Sequence, residues 1–172
     1  MNARSEQGFT LVEILIALLV LSVGVLGVAA MQLTSFQTNQ SAYARSQATY
    51  LAQEIFDRMR ANPEGYATTT VYDAISACDA EALPADPACV DTAAGCGAQA
   101  MAQQDVREWA ANFINVFDVD DYRPTLPQGC GVVTRSAGTN IFTARVSWQD
   151  RDWDGTQREL QDRFVEIEAT LN

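Results

Sequence analysis

Gly8-Phe9-Thr10-Leu11-Val12-Glu13-Ile14-Leu15-Ile16-Ala17-Leu18-Leu19-Val20-Leu21 opens an apolar run that continues to Met31, and its reading decides the fold. From Phe9 to Met31 there are 23 residues, of which Glu13 alone has an ionisable side chain. A helix of that length spans about 34 Å at about 1.5 Å per residue, which matches a hydrocarbon core of about 30 Å. A secretory signal has a shorter apolar region, about 7–15 residues, before a small-residue cleavage site. The run is too long for one, although Ala29-Ala30-Met31 offers such a site. In front lies Met1-Asn2-Ala3-Arg4-Ser5-Glu6-Gln7-Gly8, where Arg4 and the free amine form a weak positive flank. That flank stays cytoplasmic and the rest of the chain crosses.

Glu13 is the anomaly in this segment. A carboxylate at the centre of a membrane helix costs about 2.5–3.5 kcal/mol on insertion scales, less near the interface, and is usually paired and functional. The next basic residue along the helix is Arg45, about 48 Å away by helical rise. Snorkelling from one turn below the membrane surface is the bland account. A cut after Gly8 offers a second one. The new amine on Phe9 would lie one turn from Glu13, and the same amine on a neighbouring copy would supply a counter-charge between molecules. Removing one partner of a buried charge pair is strongly destabilising, and methylation of an amine keeps its charge.

Gly8-Phe9-Thr10-Leu11-Val12-Glu13, after a short polar leader and before an uninterrupted apolar helix, resembles the class III leader of type IV pilins and type II secretion pseudopilins. The resemblance implies a prepilin peptidase at the inner membrane that cuts after Gly8 and methylates Phe9. It also implies that Glu13 matches the amine of an adjacent subunit as helices slide from membrane to filament. Leu21-Ser22-Val23-Gly24-Val25-Leu26-Gly27-Val28-Ala29-Ala30-Met31-Gln32 is similar to the membrane helix of PilV-type minor pilins. Met101–Trp109 and Ala144–Asp150 agree with it. Many pilins carry a proline in mid-helix; here Gly24 and Gly27 are the only soft points, each costing about 1 kcal/mol relative to alanine.

Past Met31 the helix turns amphipathic instead of ending. Ala44, Ala48, Leu51, Ile55 and Met59 recur every three or four residues, with Arg45, Gln47, Glu54, Asp57 and Arg58 on other faces. One helix from about Phe9 to about Arg60 follows, stopped by Asn62-Pro63 because the residue before proline avoids the helical region. Residues 64–99 are loop-like. A second helix is expected from Gln99 to Val116, on Met101, Val106, Trp109, Phe113 and Val116. Apolar or alternating runs at Gly131–Arg135, Ile141–Trp148 and Arg163–Leu171, separated by turns at Ser136–Asn140 and Asp150–Gly155, read as an antiparallel meander. The expected class is α+β and similar to the pilin fold: a long N-terminal helix packed on a small sheet, with a second helix and a disulfide-bearing loop. Three regions follow: leader 1–8, membrane and filament-core helix 9–31, and periplasmic head 32–172.

Composition narrows the chemistry. The 172 residues carry a net charge of −11, from 22 acidic residues against 11 arginines, with no lysine or histidine. A nucleic-acid partner held by a basic surface is disfavoured, and the commonest catalytic base and metal ligand is missing. Cys78, Cys89, Cys96 and Cys130 face an oxidising periplasm and favour disulfides, with three pairings open. Zinc is the weaker reading, since no Cys-x-x-Cys and no histidine occur.

Asp150-x-Asp152-x-Asp154-Gly155 matches the first half of an EF-hand calcium loop. Its twelfth position is Gln161 and its ninth Arg158, so a solvated hairpin tip is the better reading. Trp148 and Trp153 read as sheet packing before a ligand platform. Asp120-Asp121 falls in a loop, and serine and cysteine lack an activating base. The chain reads as a substrate of an enzyme and not as one itself, with no cofactor.

The leading expectation is a PilV-like minor pilin that helps initiate or cap a type IV pilus and supports adhesion or twitching motility. Its partners would be other minor pilins, the major pilin, prepilin peptidase, the inner membrane and a tip adhesin. It would sit in the inner membrane as a single-pass protein before assembly and in the pilus, at its tip, afterwards. A minor pseudopilin of type II secretion is the near alternative. A fixed single-pass periplasmic binding module is the alternative from another class.

Overall fold

A computed structural model describes residues 9–89, 95–153 and 158–172, with only the backbone of 152, 153 and 158. The chain forms two compact units, Met1–Ala42 and Tyr43–Asn172. Helix α1, Leu11–Ala61, is one unbroken element that contributes residues to both. It ends where expected, at Ala61 ahead of Asn62-Pro63.

Pro63 is also a beginning. A short helix α2, Pro63–Thr68, starts on it, with Asn62 as cap accepting from the Gly65 N–H at 3.1 Å. Proline suits a first helical position because its missing N–H would be unpaired there anyway. The supposed loop 64–99 thus holds this helix, a three-residue strand β1, Ala74–Ser76, and a 3₁₀ turn at Ala80–Ala82. Helix α3 follows at Ala98–Ala110, six residues shorter at its end than expected. Beyond Ala110, asparagine side chains compete for the backbone. Asn112 Nδ2 donates to the Trp109 carbonyl at 3.1 Å, and Asn115 Oδ1 accepts from Val119 N–H at 2.9 Å.

Strands β2 (Cys130–Arg135), β3 (Ile141–Trp153) and β4 (Arg158–Thr170) complete a four-stranded antiparallel sheet in the order β1-β2-β3-β4. The expected meander is present, but β3 and β4 run five residues further toward each other. Asp150 and Asp152 therefore lie in a strand, opposite Gln161 and Glu159, and not in a turn.

Within Tyr43–Asn172 the core is continuous. Ala48, Leu51, Ala52, Ile55, Phe56 and Met59 of α1 meet Val106, Trp109 and Ala110 of α3 and Val133, Phe142, Ala144, Val146 and Trp148 of the sheet. The stripe read from the sequence is the buried face, with Ala44 partly buried at its rim. Alternation along β3 puts Phe142, Ala144, Val146 and Trp148 inward. The Trp109 indole N–H donates to the Leu51 main-chain carbonyl at 2.8 Å, which fixes α3 against α1. Phe113 meets the Trp109 ring edge-on at 5.1 Å between centroids.

Two disulfides use all four cysteines: Cys78–Cys130 and Cys89–Cys96. The first joins the segment after β1 to the start of β2 across a separation of 52 residues, and the second closes a span of 7 before α3.

Candidate functional site

The start of α1 is built by Thr10. Glu13 N–H donates to Thr10 O at 3.1 Å and to Thr10 Oγ1 at 3.3 Å, and Ile14 N–H reaches Thr10 O at 3.3 Å. Threonine is thus the cap and Glu13 the third helical residue, the Thr-x-x-Glu pattern of a capping box. An acidic group in a first helical turn is favoured by the positive end of the helix dipole. Sequence reasoning left Thr10 without a role. The Thr-x-x-Glu spacing is the signal that marks it.

Phe9 is 80% exposed, and the apolar side chains from Leu11 to Met31 are exposed throughout. Among the described residues nothing covers them, so lipid or other helices are the natural cover. Among the described residues α1 is the one helix long and apolar enough to cross a membrane. Its polar side chains are satisfied locally: Ser22 Oγ donates to Leu19 O at 2.8 Å and Thr34 Oγ1 to Ala30 O at 3.2 Å. No ion pair reaches Glu13 from a described residue. A Cβ at Gly24 or Gly27 would meet nothing, so neither glycine is required by packing within the chain. Gly8 lies outside the described residues.

The head holds a second polar constellation, and it is structural. Asp105, nearly buried, accepts a hydrogen bond from the Tyr72 hydroxyl and pairs with Arg58 Nη1 at 3.5 Å. Arg58 also binds Glu108 at 2.7 Å and Glu54 at 2.9 Å, and Gln104 donates to Glu108 at 2.8 Å. Asn62 Nδ2 donates to the Ala98 carbonyl at 2.8 Å and to the Tyr72 hydroxyl at 3.4 Å. Burial pushes the Asp105 carboxyl above its ordinary value, against the pull of Tyr72 and Arg58. Burial and the neighbouring Asp105 also raise the Tyr72 phenol, which stays protonated and donating. Hydrogen bonds from Gln104 and Arg58 hold Glu108 below its ordinary value. The network ties α1, the β1 approach and α3 together.

The remaining candidates separate. Trp148 is 4% exposed and belongs to the core, as sheet packing requires. The side chains of Asp152 and Trp153, and all of Asp154, lie outside the described residues. Asp150 Oδ1 accepts from the Arg151 N–H at 2.8 Å. Among the described residues no group of metal-ligating side chains assembles. Asp121, beside Asp120, sits in an exposed loop with φ 57°.

Two families match the chain, and they adjoin. The prokaryotic N-terminal methylation motif matches residues 3–29, and the family described as Tt1218-like, type IV pilin Tt1218, matches residues 30–107. Over residues 3–107 the chain is similar to type IV pilins. No curated protein and no solved structure matches the chain. The pilin match covers the back of α1, the disulfide-bearing segment and most of α3. The sheet β2–β4 lies beyond it. The type IV pilin family is structural and not enzymatic.

Proposed function

We propose that the chain is a minor pilin that takes part in initiating or capping a type IV pilus, after prepilin peptidase has cut behind Gly8 and methylated Phe9. The observation that carries this is the capped helix start: a carboxylate on the first turn of a long uncovered apolar helix, one turn from where the mature amine would stand. The methylation-motif match over residues 3–29 supports the processing step. A PilV-like place in the assembly is supported by the resemblances at Leu21–Gln32, Met101–Trp109 and Ala144–Asp150.

In this reading the subunit waits in the inner membrane with its head in the periplasm. It then enters the filament helix to helix, Glu13 taking the charged amine of a neighbour as partner. Other minor pilins and the major pilin are the neighbours, and the acidic head faces outward.

The test is mass spectrometry of the amino-terminal peptide from cells, paired with a Glu13→Ala variant. The expected outcome is an N-methylated Phe9 terminus. The variant inserts in the membrane as the wild type does but is lost from sheared pili. A chain that retains Met1 while pili form normally refutes the processing step. Wild-type levels of Glu13→Ala in pili refute the pairing. Co-purified partners separate a pilus subunit from a type II secretion pseudopilin.

A further inference from the structure

Among the described strands β4 is an edge of the sheet. Its thirteen residues pair with β3 in unbroken register, and among the described residues no strand pairs with its other side. A strand edge of this length presents a row of backbone N–H and C=O groups that can template a further strand. Proteins usually blunt such edges by shortening, bulging, proline or charge; β4 is long, unbulged and free of proline, and charged side chains, Arg163 among them on the inward face, are its one such device.

Its side chains also lack cover. Strand alternation places Leu160, Asp162, Phe164, Glu166 and Glu168 on the face away from the core. Leu160 is 59% exposed and Phe164 54%, with the Arg145 guanidinium stacked over the Phe164 ring at 3.9 Å. On the opposite face Val165, Ile167 and Ala169 pack against the core yet are only partly buried. Apolar surface thus lies open on both faces of one edge. The charge along it is one-sided: Glu159, Asp162, Glu166 and Glu168 against Arg158 and Arg163, on a chain whose net charge is −11. A second copy would bring the same acidic strand against it.

We infer that the β4 edge is a docking site for an extended segment of another protein, in which apolar side chains alternate with basic ones. Its apolar residues cover Val165 and Ile167, and its basic residues face Asp162, Glu166 and Glu168. Main-chain hydrogen bonds hold it as a fifth strand, and the alternation sets its register. The inference rests on the head's sheet alone and stands apart from the filament reading.

The experiment uses the full chain in detergent micelles and a labelled nine-residue peptide of alternating valine and lysine, acetylated and amidated. The expected result is binding that slows hydrogen exchange along β4 and weakens at least tenfold when glutamate replaces lysine. Of two peptides N-methylated at alternate residues, at the valines or at the lysines, one also loses at least tenfold, because only one set of N–H groups faces β4. In a chain carrying Asp162→Arg and Glu168→Arg, both exposed, the glutamate peptide becomes the better ligand. Absence of lysine-peptide binding, unchanged exchange along β4, or equal binding by both N-methylated peptides overturns the inference. So does a concentration-dependent homodimer that protects β4 in the free chain, because the occupant is then a second copy.

Discussion

Gly131 is a glycine because two rings fill the space its side chain would need. A Cβ there would overlap the Trp109 indole and come within 2.7 Å of Phe113 Cε2, and neither ring can step aside without parting from the other. Gly131→Ala is expected to destabilise the head by about 1–3 kcal/mol, the usual range for overpacking. The drop in urea midpoint, followed by tryptophan fluorescence, measures it. Asp105 gives a prediction with a sign. Its carboxyl is held above the ordinary value of 3.8 in the folded chain, so the folded state keeps the proton that the unfolded state loses. That contribution is present in acid and declines as pH rises through the raised value. Glu108 acts oppositely: its value is lowered, so its contribution is present above 4.5 and is lost as pH falls. An amide at position 105 does not titrate. The stability difference between wild type and Asp105→Asn should therefore move toward the variant as pH rises from about 4 to 7, read from unfolding curves at each pH. A constant difference across that range would contradict the argument.

At the scale of elements, legibility follows how much of the information is local. The back of α1 is plain in the sequence because Ala48, Leu51, Ile55 and Met59 repeat at helical spacing and all four are buried. β1 is not, since three residues carry no periodicity and its partner, Val132–Thr134, stands nearly sixty positions on. α2 is masked by Pro63, which reads as a stop and serves equally as a start. The far half of the β3–β4 hairpin is masked by charge. From Gln149 round to Phe164 no described side chain is buried on either face, so the alternation that marks a half-buried strand is absent there. Thr10 is legible from its spacing to Glu13. Thr10→Val removes the Oγ1 acceptor and should cost about 1 kcal/mol of helix start, seen as faster amide exchange at Glu13 in micelles with the remainder of α1 unchanged.

At the scale of the molecule, the two disulfides are unequal in what they constrain. The chain-entropy account gives about 4 kcal/mol for a loop of the length Cys78–Cys130 closes and about 2 kcal/mol for that of Cys89–Cys96. The paired variant Cys78→Ala, Cys130→Ala should therefore lower the guanidinium midpoint more than Cys89→Ala, Cys96→Ala. The reverse order would show that folded-state packing decides instead. Which cysteines pair could not be read from a line of sequence, because β1 and β2 must first be side by side. The bond from the Trp109 indole to the Leu51 carbonyl has a mechanical corollary. Sliding α3 by one turn would strand a donor in an apolar interior, at about 1–3 kcal/mol. That bond is therefore a catch against slip, keying α3 to the rear of α1 at Leu51.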